Sequence, residues 1–84
     1  MSNLESVIKL LGEILEDRTV PRNIKAMVEQ AKNALEDKNS DLNLRLSTAI
    51  SNLDEIINDP NMPMYTRTQI WNIVSILESL KKEE

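Results

Sequence analysis

With no cysteine and no histidine among its 84 residues, this chain offers neither thiolate nor imidazole as nucleophile, general base or metal ligand. The candidate chemistry rests on its carboxylates, its basic side chains and its one tyrosine, and three groupings of residues stand out. The first is acidic. Asp17 and Asp59 occupy equivalent positions in two parts of the chain, with Asp54 and Glu55 one turn upstream of the second, and paired carboxylates support hydrolysis when a pocket separates their pKa values. Asp37-Lys38-Asn39-Ser40-Asp41 also opens like a calcium loop, but its sixth position is Leu42 where glycine must permit the turn, and its twelfth is Thr48 where a bidentate glutamate is needed. Corner aspartates of this kind usually bond nearby backbone N–H groups, so no metal and no cofactor are expected.

The second grouping is basic. Arg18, Arg22 and Lys25 gather where a helix is expected to begin, Arg67 holds the position matching Lys25 in the second half, and a helix N-terminus already favours anions. This is the candidate site for RNA or a phosphorylated ligand, although Asp17 and Glu29 lie close enough to neutralise it. The third grouping is apolar. From Pro60 to Leu77 the only charge is Arg67, while Met62, Met64, Tyr65 and Trp71 bring together both aromatic residues of the chain. Uncharged surfaces with methionine and aromatic side chains are what interface centres look like, so these four are the candidate partner surface; the competing reading has Trp71 closing the core.

Charge bears on which of these prevails. Fourteen acidic against ten basic residues leave a net charge of -4, with no basic tail or block, so nucleic acid is a disfavoured partner. The longest unbroken apolar run is Ala26-Met27-Val28, which predicts no membrane span, and the cytoplasm is the default expectation.

The elements that must position these residues follow from a repeat. Shifted by 42, the chain matches itself at nine of 42 positions, among them Leu11 with Leu53, Ile14 with Ile56, Asp17 with Asp59 and Pro21 with Pro63. Roughly three matches are expected by chance for so biased a composition. Within each copy, apolar residues recur at helical spacing: Leu4, Val7, Ile8, Leu11, Ile14 and Leu15, then Ile24, Met27, Val28, Ala31, Ala34 and Leu35. Helices are predicted near 3–17, 20–37, 41–58 and 62–82. Ser2 with Glu5 has capping-box spacing, Ser40 or Asp41 can cap the third helix, and Thr19 and Asn61 can cap the second and fourth. Short connections force neighbours to run antiparallel, predicting one all-α domain, an up-and-down four-helix bundle built from two 42-residue hairpins. The rival is a pair of stacked hairpins as in HEAT repeats, which generally need three or more units. Leu11, Ile14, Ile50, Leu53, Ile56 and Val74 are the predicted core, and Leu44 should face away from it.

Asn58-Asp59-Pro60-Asn61-Met62-Pro63, followed by Arg67 and Ile70-Trp71-Asn72, resembles the signature of a small archaeal family, uncharacterised protein family zero-one-four-seven. Thr19-Val20-Pro21-Arg22-Asn23-Ile24 and the stretches Thr48-Ala49-Ile50 and Leu53-Asp54-Glu55-Ile56 resemble its other recurrent segments, so the similarity spans nearly the whole chain. The resemblance implies a bromodomain-like, up-and-down bundle of archaeal, cytoplasmic origin, and it attaches no catalytic residue. The residues themselves favour a non-catalytic protein-interaction or scaffold module acting through the fourth helix, with a protein partner or a second copy as its occupant. An RNA or phosphate binder is the alternative, and an enzyme working with carboxylates, Lys25 or Tyr65 is the least favoured.

Overall fold

The computed structural model describes residues 3–82, and Ser2, expected in a capping box, lies outside them. Among the described residues the elements are four helices: α1 (Asn3–Glu16), α2 (Arg22–Glu36), α3 (Leu42–Ile56) and α4 (Met64–Lys82). Each begins within about two residues of the position that hydrophobic spacing marks. α1 packs on α2, α2 on α3, α3 on α4, and α4 returns to α1, while the diagonal pairs stay apart. The contact between first and last helices closes a four-helix bundle, which two hairpins stacked in one direction could not do.

The core shows why each stripe faces inward. α1 buries Val7, Leu11 and Ile14, and α2 buries Ile24, Val28, Ala31 and Leu35. α3 buries Leu46, Ala49, Leu53 and Ile56, and α4 buries Thr66, Ile70, Ile73 and Leu77. Apart from Leu46, every one of these α3 and α4 positions lies 42 residues beyond a buried position of α1 or α2. Val20 and Met62 extend that correspondence to the corners, where both are buried. Ile50 and Val74, predicted as core, are half-buried and pack against its edge. The α4 stripe runs through 66, 70, 73 and 77, which leaves Val74 on its flank. Leu44 is 54% exposed, on the far side of α3 from Leu53.

One corner design serves all three connections. In the first, Asp17 N–H donates to Ile14 O at 3.1 Å, Val20 N–H to Asp17 O at 3.3 Å, and Thr19 N–H to Asp17 Oδ1 at 2.9 Å. The same bonds recur around Asp37, with Asn39 and Ser40, and around Asp59, with Asn61 and Met62. An aspartate just past a helix, one residue on for Asp17 and Asp37 and three for Asp59, can accept from the N–H two residues on, which turns the chain sharply without glycine.

Thr19 is therefore not the cap of α2. Its hydroxyl and its N–H both serve Asp17, and Pro21 holds the N-cap position with φ -61° and ψ 155°. Asn61 is likewise engaged by Asp59 rather than capping α4. Asp41 does cap α3, accepting from Leu44 N–H at 2.8 Å, whereas Ser40 donates its hydroxyl to Asp37.

Candidate functional site

The corner design settles the position of most acidic and basic candidates. Asp17 accepts two bonds from Thr19, and the hydroxyl of Thr19, then its backbone N–H, hold the Asp17 carboxyl below its ordinary value of 3.8 despite some desolvation, with Lys25 adding a weaker pull. Asp59 accepts from Asn61 N–H through one oxygen and from the Asn23 amide, at 2.9 Å, through the other. The Asn23 bond ties the first corner to the third, so both lie at one end of the bundle. Asp17 and Asp59 thus share that end, Asp17 turned onto Thr19 and Asp59 onto Asn61 and, across the end, Asn23. Asp54 and Glu55 are exposed on α3. Asp37 and Asp41, the calcium-like pair, accept from Asn39 N–H and Leu44 N–H respectively.

The four bases of the anion candidate separate into two kinds. Arg18 and Arg22 are exposed at the corner, where the start of α2 leaves backbone N–H groups without helical partners. Arg67 is spent on the fold. Its half-buried guanidinium donates to Ile57 O at 2.9 Å and to Asp59 O at 2.6 Å, closing the carbonyl end of α3. Arg45 does the same for α2, donating twice to Leu35 O. Lys25 occupies the equivalent place at the first corner and is half-buried. The signal for this arrangement is an aspartate followed at four and eight residues by the helix-start residue and a base: 17, 21, 25; 37, 41, 45; 59, 63, 67.

The apolar candidates also divide. Met62 is 5% exposed and belongs to the core rather than to a partner surface. Its N–H donates to Asp59 O, and that turn carries the side chain inward over the end of the bundle, as Val20 is carried at the first corner. Met64, Tyr65 and Trp71 are 71%, 70% and 54% exposed, so Trp71 does not close the core. On α4, Met64, Thr68, Trp71 and Ser75 follow one another at spacings of four, three and four, which places them on one outward face. Tyr65 and Asn72 flank it, and all six are exposed. No charge interrupts this face between Met64 and Ser75, because Arg67 is folded back onto α3. Toward the C-terminal end of α4, a shallow open depression of about 370 Å³ is lined by Ile50, Glu78, Lys81 and Lys82. No described helix is long and apolar enough to cross a membrane.

Comparison with known proteins agrees with the geometry and adds no chemistry to it. Residues 1–80 match the uncharacterised protein family UPF0147. A UPF0147 protein of Methanocaldococcus jannaschii is 55% identical over 78 residues, covering 93% of this chain and 84% of its own. One from Methanothermobacter thermautotrophicus is 45% identical over 84 residues, covering 98% and 82%. Among solved structures, the chain is similar to a protein described as of unknown function, with 55% identity, a TM-score of 0.88 and coverage of 92% of this chain and 88% of that one. It is similar at the same TM-score to a UPF0147 protein from Thermoplasma acidophilum, 41% identical, with 93% and 92% covered.

Proposed function

Because the chain belongs to the uncharacterised protein family UPF0147, whose name carries no activity, we propose from its surface that it is a cytoplasmic, non-catalytic protein-interaction module working through the outer face of α4. The observation that carries this reading is the contrast between matched positions of α2 and α4. Arg22, Asn23 and Glu29 are exposed on α2; 42 residues on, Met64, Tyr65 and Trp71 are exposed on α4. Folding tolerates charge at the places matching Met64 and Trp71, as Arg22 and Glu29 demonstrate, so packing does not require a tryptophan there. A large aromatic side chain held half in water forgoes part of the roughly 1.5–3 kcal/mol that burying a large apolar side chain gains, and a partner recovers it.

A photo-crosslinking amino acid placed at position 71 tests the proposal against one placed at position 29. The expected result is a discrete protein adduct from position 71 in the native cell and none from position 29. Equal labelling from both positions would count against a dedicated surface.

The second reading is a ligand with phosphate groups. It is favoured by the convergence of exposed Arg18 and Arg22 on one end of the bundle with the starts of both α2 and α4. Titration with RNA at two salt concentrations separates it from the first, since phosphate binding must weaken steeply as salt rises.

A further inference from the structure

We infer that the occupant of the outer α4 face is a second copy of this chain, its α4 antiparallel to the first, with each Trp71 seated on Thr68 of the other copy. The inference rests on the interaction reading above and names its partner. Its basis is the order of side-chain sizes along the exposed face. Met64, Thr68, Trp71 and Ser75 read large, small, large, small. Turned end for end, the same row reads small, large, small, large, so a twofold axis midway between 68 and 71 sets every large residue opposite a small one. Met64 meets Ser75 and Trp71 meets Thr68, twice each. A parallel pairing would instead set tryptophan against tryptophan and hydroxyl against hydroxyl. Self-complementarity of this kind is what an isologous interface requires.

Charge agrees with the register. Two chains of net charge -4 repel, and an uncharged face is the surface on which they can approach. Arg67 brings no charge into the contact, because its guanidinium is folded back onto Ile57 O and Asp59 O. Glu78, exposed on the same side of the helix, comes opposite position 61, just before the start of the other copy's α4, where unpaired N–H groups attract a carboxylate. The uncharged face runs from Met64 to Ser75, twelve residues or about 18 Å of helix. One helix face of that length puts the contact at the low end of specific interfaces, about 1,000 Å² in total, which implies a weak, concentration-dependent dimer.

The chain has no cysteine, so a pair of introduced thiols reads the register without background. Met64→Cys and Ser75→Cys proteins are prepared separately, each checked for helical circular dichroism, then mixed and oxidised. In the antiparallel register position 64 faces position 75 within disulfide reach, whereas like positions lie eleven residues apart along the axis, about 16 Å and beyond bridging. The expected product is the mixed disulfide, in several-fold excess over the two homodisulfides. Homodisulfides equal to or above the mixed product overturn the inference, as does a wild type that sediments as a monomer up to millimolar concentration. A crosslinked adduct from position 71 whose mass shows a different protein would also overturn it while leaving the interaction reading intact. Loss of any adduct from position 71 would remove both.

Discussion

α2 and α4 make the same contribution to the core and opposite contributions to the surface. Each follows a proline corner, and each buries four residues at matched positions: Ile24, Val28, Ala31 and Leu35 against Thr66, Ile70, Ile73 and Leu77. The outer side of α2 carries Arg22 and Glu29, and Lys32, paired to Glu36 at 3.1 Å, stands where α4 has Val74. The outer side of α4 carries Met64, Tyr65 and Trp71. What the two helices share is therefore what folding demands, and what they do not share is free to serve something else. Thr66 is the exception inside the core. It occupies the place of Ile24, fully buried, with its hydroxyl lacking a hydrogen-bond partner.

The comparison can be broken most sharply at the core. Leu53→Ala should cost about 2–5 kcal/mol, because a fully buried leucine leaves a cavity that neighbouring helices only partly fill. Leu44→Ala should stay within about 0.5 kcal/mol. Urea denaturation of both variants checks the pair, and equal losses would mean that the stripe of α3 is misassigned. A smaller effect of opposite sign is expected at Thr66. Replacement by valine removes an unpaired buried hydroxyl while keeping the branched shape, and should stabilise the fold by about 1 kcal/mol, measured the same way. Destabilisation would show that the hydroxyl has a partner.

The smallest effect belongs to the first corner. Asp17 is held below its ordinary value in the folded chain, so its contribution to stability is complete above pH 3.8 and is lost as pH falls through the depressed value. Thr19→Ala removes the hydroxyl that contributes most to that depression. The Asp17 carboxyl, followed by nuclear magnetic resonance, should then titrate closer to its ordinary value, and an unchanged titration would transfer the cause to the backbone N–H.

Helical periodicity made the four helices and most of the core legible in the sequence, because a bundle with short connections gives each helix one inward direction. What periodicity could not convey was set at the corners. Val20 and Met62 lie outside any helical stripe, and their burial depends on a turn that folds over the bundle end. Met62 therefore read as surface beside Met64, although Val20, its match 42 residues earlier, was an available hint. Arg67 read as a free cation because its carbonyl partners, Ile57 and Asp59, come together only once α3 ends at Ile56. Recurrence of a base eight residues after each corner aspartate was the overlooked signal. Thr66 was missed because its residue type hides a core position that the match to Ile24 reveals. Met64, Tyr65 and Trp71 were legible through the absence of charge around them, a feature that does not depend on the turn geometry.

The central claim is that α4 carries a surface made for association at positions where α2 carries charge, and sedimentation of wild type beside Trp71→Glu tests it most directly. The substitution places on α4 the residue that α2 already exposes at the matched position, Glu29. The account predicts a wild type whose dimer fraction rises with concentration, and a Trp71→Glu protein that remains monomeric while keeping its helical circular dichroism. A Trp71→Glu protein that unfolds, or that associates as the wild type does, would contradict it.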